Sequence, residues 1–328
     1  MESAVKRIGV LTSGGDAPGM NAAVRAVVRT ATSNGIEVIG IRRGWNGLIQ
    51  GDVIKMERQS VAHILNKGGT ILYTARSDEF RTPEGRAKAY NTCKLLGLDG
   101  LVAIGGDGTW TGALHLASEH KISVVGIPGT IDNDIGCTEY CIGFDTAANT
   151  ALEGIDKLRD TMQSHERCSI IEVMGHNAGD LAQYVGLAAG ATEVVIPEYE
   201  CDYDKIVETI RRARISGHTH FMVIIAEGAN CTQELAAYIE EKTGLSSKIT
   251  VLGHVQRGGS PTARDRVMAT RMGYLAVMAL IEGKTNRVIV TKNHVLQDMD
   301  MFEALQQKHQ IYDRDNQIAR AMIGDKMN

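Results

Sequence analysis

Two short stretches of the chain carry residue types suited to phosphoryl chemistry. Gly105-Gly106-Asp107-Gly108 follows the apolar run Leu101-Val102-Ala103-Ile104 and leads into a helix-like stretch from Thr109 to His120. Pro128-Gly129-Thr130-Ile131-Asp132-Asn133-Asp134 follows Val124-Val125-Gly126-Ile127 and sets two carboxylates two positions apart. Glycine lets a backbone approach a phosphate closely, and a helix start offers unpaired N–H groups with partial positive charge. In an extended segment Asp132 and Asp134 would point the same way. Paired carboxylates suit removal of a proton from an attacking hydroxyl. Asp107 beside phosphates calls for a cation between them, so Mg2+ is expected there. Ser13-Gly14-Gly15-Asp16 repeats the grammar of strand, glycines, acid and helix. On these residues alone a Gly-Gly-Asp turn can equally just reverse the chain, and Asp-Asn-Asp can cap a helix. Cations recur on later turns: Arg167, Lys248, and Arg257 within Leu252-Gly253-His254-Val255-Gln256-Arg257-Gly258-Gly259. Arginine's planar fork grips phosphate at two points. Two familiar nucleotide fingerprints do not fit. Gly283-Lys284-Thr285 has Met278 where the first glycine of a P-loop belongs, and no Gly-x-Gly-x-x-Gly follows the first strand.

The elements needed to position these turns are legible as an alternation of strand and helix, which predicts an α/β fold with largely parallel sheets and flanking helices. Strands are expected at Arg7–Thr12, Ile36–Ile41, Leu101–Gly105 and Ile122–Ile127, with a helix from Gly19 to Ser33. A long amphipathic helix follows, carrying Ala148, Ala151, Leu152, Ile155, Leu158 and Met162 at helical spacing. Ser169–Val173, Glu193–Ile196 and Phe221–Ala226 read as a second sheet, and Ile249–Leu252 is expected to return the chain to the first. The halves look like one architecture used twice, so two similar domains are expected: 1–142 plus 256–305, and 143–255 plus 306–328. The 328 residues are 43% hydrophobic and 23% charged with a net charge of −4. That composition supports folded cores and offers no broad basic face for nucleic acid. No apolar run reaches membrane-spanning length, and Met1–Arg7 lacks the apolar region of a secretion signal. The six cysteines are scattered, and Cys137 with Cys141 makes a weak metal pair, so reduced thiols in a cytoplasmic protein are expected.

Taken in order, several of these segments resemble the bacterial ATP-dependent 6-phosphofructokinase family. They are Ser13 to Asn21, Gly105 to Gly108, Pro128 to Asp134, Met174-Gly175, Ala226-Glu227-Gly228 and Leu252 to Gly259. The resemblance implies a glycolytic enzyme that moves the γ-phosphoryl group of MgATP to the 1-hydroxyl of fructose 6-phosphate. It places the active site in the cleft between an ATP-binding first domain and a sugar-phosphate-binding second one. Asp132 would be the general base, with Thr130, Asp134 and Arg76 beside the reacting groups. Gly15, Arg76, Ser77, Gly106, Asp107, Gly108 and Thr109 would hold ATP, Asp107 through Mg2+. Thr130, Ile131, Asp132, Met174, Gly175, His176, Glu227, His254, Val255, Gln256 and Arg257 would line the sugar-phosphate pocket. Arg167 and Lys248 would enter it from a neighbouring subunit of a homotetramer. Pyrophosphate-using members carry a carboxylate after Gly-Gly-Asp and a lysine before Thr-Ile-Asp. Here those positions are Gly108 and Gly129, which favours ATP.

Departures from the family pattern touch the sugar phosphate and the effector site. His176 and Lys248 stand where arginines are usual, and an imidazole carries little charge at pH 7. Weak fructose 6-phosphate binding that improves at mild acidity is therefore expected. Arg25, Arg29 and Arg159 match the family's effector site, with Arg58 a further candidate. Thr192 replaces its glutamate, and Ser216 and His218 replace basic residues, so effector control is expected to be reduced or retuned. Two other readings stay open: a regulatory paralogue that keeps the fold without turnover, and a kinase of another phosphosugar.

Overall fold

The computed structural model describes residues 5–311 together with Ile318 and Met322. The rest of the expected 306–328 piece, and residues 1–4, lie outside the described residues. Strands β1 (Arg7–Thr12), β2 (Glu37–Ile41), β3 (Val53–Met56), β4 (Gly100–Gly105), β5 (Ser123–Thr130) and β6 (Ile142–Gly143) alternate with helices α1 (Met20–Ser33), α2 (Gly44–Gln50), α3 (Pro83–Leu96) and α4 (Asp107–His120). After them come α5 (Phe144–His165), β7 (Cys168–Val173), α6 (Asp180–Ala189), β8 (Glu193–Val195), α7 (Tyr203–Ile215), β9 (Phe221–Ala226), α8 (Thr232–Thr243) and β10 (Ser247–Val251). The chain then runs through α9 (Ala263–Ile281), β11 (Arg287–Lys292), β12 (Val295–Asp300) and α10 (Met301–Gln306).

These elements form two compact units. Among the described residues, the first comprises Val5–Ile131, Ile135–Thr146 and Arg257–His309; the second, Asp132–Asp134, Ala147–Gln256 and Gln310, Ile311, Ile318 and Met322. The first is built on an eight-stranded sheet in the order β12-β11-β5-β4-β1-β2-β3, with β6 beside β5. Its inner pairs are parallel, and β3 and β12 are antiparallel strands at the two edges. Strands β1, β4 and β5 are buried almost throughout, because helices cover both faces of a parallel sheet and demand continuous apolar runs. Under them Leu11, Trp45, Phe80, Leu101 and Trp110 form a core in which the rings of Trp45 and Phe80 stack at 4.4 Å. Helix α3 starts where Thr82 accepts the Gly85 N–H at 3.1 Å with Pro83 at the first helical position, and stops at Gly97 in the left-handed region.

A buried acid organises another part of this unit. Asp265, in the first turn of α9 and 0% exposed, accepts the Tyr140 hydroxyl at 2.6 Å, the Gly143 N–H at 2.7 Å and the Thr146 N–H at 2.9 Å. Burial pushes its carboxyl up, and these donors oppose that shift by satisfying the charged form.

The second unit has a four-stranded parallel sheet in the order β10-β7-β9-β8, packed on Ile206, Ile210, Leu235 and Ile239 of α7 and α8. Here one expectation is corrected. The strand expected at Ile249–Leu252 does not rejoin the first sheet; as β10 it pairs with β7, Lys248 opposite Ser169. A second correction concerns the acidic turn. Asn133 has φ +54°, so Asp132 and Asp134 are not alternate residues of an extended segment and the two-residue alternation does not apply to them.

Candidate active site

Within the first unit the two glycine turns lie side by side. Strands β1 and β4 are parallel neighbours, with Thr12 opposite Ile104, so both turns leave the same sheet edge. The Ser13 N–H donates to the Ile104 carbonyl at 3.0 Å, and the Thr109 hydroxyl donates to the Ser13 carbonyl at 3.2 Å. A Cβ added at Gly105 would sit 2.4 Å from that carbonyl and 2.5 Å from the Thr109 hydroxyl, so only glycine lets the turns approach this closely. Gly14 has φ +87°, a conformation open to glycine. Helix α4 begins directly after Gly106 with Asp107 in its first turn. The Asp107 side chain is exposed and accepts the Gly108 N–H at 2.6 Å. A Cβ at Gly106 or Gly108 would meet no atom within 4 Å, so the space beside both is open.

Arg76 and Ser77 reach this edge by a tether the sequence did not reveal. Asn21 is buried, donates to the carbonyls of Lys67 and Gly68 at 3.1 Å each, and accepts the Ile71 N–H at 2.8 Å. Three residues on, the Thr74 hydroxyl donates to the Gly14 carbonyl at 2.6 Å. That pins the segment entering Arg76, whose side chain is exposed, and Ser77, which accepts the Phe80 N–H at 3.3 Å. Arg257, expected on the sugar phosphate, lies over Gly15. A Cβ at Gly15 would come within 2.3 Å of its Nη1, which donates to the Asp16 carbonyl at 3.2 Å. Thr130 ends β5, and Ile131 after it is fully buried. Gly283-Lys284-Thr285 follows the end of α9 and leads into β11, the reverse of a phosphate-binding strand–turn–helix order.

Within the second unit, β7 delivers Met174, Gly175 and His176 to its C-terminal end. Gly175 has φ +138° and His176 φ +53°. The His176 backbone N–H donates to Glu227 Oε1 at 2.8 Å while its ring is exposed. A Cβ at Gly228 would come within 2.3 Å of the His176 carbonyl, so the turns after β7 and β9 are fitted to each other. The buried Gln256 accepts the Met174 N–H at 3.4 Å, and His254 and Val255 before it are exposed. Asp132 and Asp134, both half-buried, belong to this unit.

Arg167 and Lys248 are not with this group. Arg167 precedes the first residue of β7, and Lys248 lies opposite Ser169 near the start of β10. Met174 follows the last residue of β7, so the six residues of that strand, at roughly 3.3 Å each, separate the two sets by about 20 Å.

The cations expected at an effector site fall into two groups. Arg25 and Arg29 of α1 line a cavity of about 640 Å³ with His63 and Arg266, and Arg58 donates to the Ser33 hydroxyl at 2.9 Å. Burial, with Arg29 and Arg58 nearby, lowers the Arg25 pKa. Arg159 donates to the Ala189 carbonyl and lines a cavity of about 280 Å³ with Thr192, His218 and His220. The Thr192 hydroxyl is committed to the Met222 N–H at 3.0 Å, and the Ser216 hydroxyl to the Arg212 carbonyl at 3.1 Å.

A sequence profile described as phosphofructokinase matches residues 7–280. The chain belongs to the phosphofructokinase family. It is 55% identical over 301 residues to the ATP-dependent 6-phosphofructokinase of Clostridium botulinum strain Hall, covering 92% of this chain and 94% of that protein. It is 52% identical over 318 residues to the Clostridium tetani enzyme of the same name, covering 97% and 99%. Among solved structures it is similar to phosphofructokinase from Saccharomyces cerevisiae, with TM-score 0.86 and 37% identity over 92% of this chain; it spans 45% of that longer chain. A pyrophosphate-dependent phosphofructokinase from Marinobacter aquaeolei, TM-score 0.84 and 21% identity over 94% of this chain and 86% of that one, shares the fold.

For a phosphofructokinase, reading the motifs alone missed Thr74, the tether through Asn21, and the pairing of Arg266 and His63 with the α1 arginines. Asn21 had a signal, since it closes the first glycine motif. The others rest on contacts between distant parts of the chain and have none.

Proposed function

We propose that the chain is an ATP-dependent 6-phosphofructokinase acting in glycolysis, transferring the γ-phosphoryl group of ATP to the 1-hydroxyl of fructose 6-phosphate. The observation that carries this reading is the paired glycine edge of β1 and β4. Two close backbone turns, a helix start with its unpaired N–H groups and Arg257 over Gly15 give a sterically open surface suited to a polyphosphate. The open space beside Gly108 leaves room for a nucleoside α-phosphate, which supports ATP over pyrophosphate.

Mg2+ fits the exposed Asp107 carboxylate beside that open edge, and when bound it would neutralise charge on the phosphates. Asp107 would hold the ion, and Thr109 and Ser13 keep the turns in register. Asp132 takes the proton of the sugar 1-hydroxyl as it attacks, with Thr130 and Asp134 beside it. Arg76 stabilises charge on the transferred group, as a loose phosphoryl transition state requires. Glu227 and the Met174–His176 turn orient the sugar, with His254, Val255 and Gln256 completing that side. Arg25, Arg29 and Arg159 would bind anionic effectors, with control reduced or retuned where Thr192 replaces the family's glutamate. The separation of Arg167 and Lys248 from Met174 by a strand's length supports their serving a neighbouring subunit's pocket, in a homotetramer. No helix among the described residues is long and apolar enough to cross a membrane, and a cytoplasmic location is the reading in keeping with glycolysis.

The test is a coupled assay with fructose 6-phosphate and other ketose phosphates, each with MgATP and with pyrophosphate. Turnover is expected with MgATP and fructose 6-phosphate. Preference for another phosphosugar, or none with any, would replace this reading.

A further inference from the structure

Two cysteines of the second unit stand apart from the other four. Cys201, on the segment between β8 and α7, and Cys231, directly before the first residue of α8, hold their sulfurs 3.7 Å apart. A disulfide needs roughly 2.05 Å, so each sulfur has under about 1 Å to travel. Cys201 is half-buried and lines an open cavity of about 900 Å³ with Tyr199, Tyr203 and Tyr238, giving a small reagent a path to it. The sulfur–sulfur hydrogen bond lowers the Cys231 pKa and raises that of Cys201, so the thiolate of the pair resides on Cys231, held by the Cys201 S–H. Cys231 is buried, as are Cys93, Cys137, Cys141 and Cys168, so Cys201 is the reagent's point of entry. Burial pushes Cys93 and Cys168 up to about 12 and Cys137 up to about 11.

We propose that Cys201 and Cys231 form a redox-modification site, closed into an intramolecular disulfide by exchange with a small, uncharged organic disulfide. Cys231 loses its proton to solvent; as the more accessible Cys201 sulfur attacks one sulfur of the reagent, its proton passes to the Cys231 thiolate and one reagent thiolate is expelled. Cys231, deprotonated in turn, attacks the Cys201 sulfur of that mixed disulfide and expels the second. Two protein thiols are oxidised, and one reagent disulfide is reduced to two thiols. Glu193, Glu200, Asp202 and Asp204 line the same cavity, which disfavours an anionic reagent.

The bond would strap the start of α7 to the start of α8, four residues beyond Glu227. Glu227 holds the His176 N–H at 2.8 Å, so drawing Cys231 toward Cys201 strains the β9 turn. Resting on the sugar-phosphate role proposed for Glu227, the oxidised enzyme has a severalfold higher KM for fructose 6-phosphate and an unchanged KM for ATP.

The test treats the full-length protein with excess hydroxyethyl disulfide, then measures intact mass, maps peptides and assays both substrates. The expected product has lost two hydrogens, links Cys201 to Cys231 and reverts with dithiothreitol. Cys201→Ser and Cys231→Ser do not form the bond, and each leaves the surviving cysteine at most as a mixed disulfide. Should Cys231→Ser fail to fold, the half-buried Cys201→Ser carries the comparison. Retention of all six thiols, or a bond to any other cysteine, overturns the site. A bond with both KM values unchanged overturns the strap. Absence of turnover on fructose 6-phosphate by the reduced protein would instead overturn the functional reading and leave the mass result standing.

Discussion

The contact between Arg257 and Gly15 separates binding from stability, and Gly15→Ala isolates it. The added Cβ would stand 2.3 Å from Arg257 Nη1, about 1 Å inside ordinary contact. No left-handed backbone is required at residue 15, and the obstructing atom is the far end of a flexible side chain, so the guanidinium swings away at little cost. Gly→Ala also reduces the freedom of the unfolded chain by about 0.4–1 kcal/mol, so net stability should stay within about 1 kcal/mol of the parent. Function should not stay. Moving Nη1 breaks its 3.2 Å bond to the Asp16 carbonyl and lifts the charge from the phosphate edge. A hydrogen bond to a charged group is worth about 1.5–3 kcal/mol, which corresponds to a loss of roughly 10- to 150-fold in kcat/KM. The assay is initial rates against each substrate in turn, alongside urea unfolding. The substrate whose KM rises identifies what Arg257 holds. Unchanged kcat/KM for both substrates, or unfolding of the variant, would refute the reasoning.

Three other outcomes are expected. Gly108→Asp places a carboxylate in open space, so folding should be unaffected while KM for ATP rises at least about tenfold, as expected where one charge-assisted contact is lost; parental ATP kinetics would remove the nucleotide-specificity argument. Mixing the variants Arg167→Ala and Asp132→Asn, each inactive alone, should restore activity through hybrid oligomers; mixtures no more active than their parts would count against shared sites. Arg86 donates to both carboxylate oxygens of Glu119, at 2.8 and 2.6 Å, and holds that carboxyl below its usual range. Because the folded pKa is depressed, this stabilisation is complete above the ordinary value of 4.5 and fades as pH falls through the folded one. Glu119→Gln should therefore cost about 1–3 kcal/mol at pH 7 and progressively less below pH 4.5 in denaturant titrations; a difference that does not change with pH would contradict the assignment.

The parts of the fold most legible in the sequence are those whose signal is local. Strands β1, β4, β5 and β9 read directly because a parallel strand covered on both faces must be an unbroken apolar run. Strand β12, Val295–Asp300, escaped notice because it is a partly exposed edge whose polar residues look like a loop. The apolar pattern of β10 identified a strand and could not say which sheet it joins, since only the register with β7 decides that. In the site, the glycine turns were visible as motifs, and their mutual fit through Ser13, Gly105 and Thr109 was not. The same limit applies to Arg257, whose nearest phosphate-edge neighbour lies more than two hundred positions away in the chain.

Strand β10 has a further consequence for any experiment on Lys248. It ends its sheet, and a terminal strand is a template on which a foreign strand can stack unless something discourages it. An exposed lysine near the start of Ser247–Val251, on the strand that carries apolar Ile249 and Val251, is the kind of gatekeeper that keeps such templates soluble. Removing it with an apolar replacement would therefore erode colloidal behaviour as well as anion binding, and precipitated protein would imitate a catalytic defect. Lys248→Arg and Lys248→Glu separate the two: both preserve a charged guard on the strand, and only the first preserves its sign.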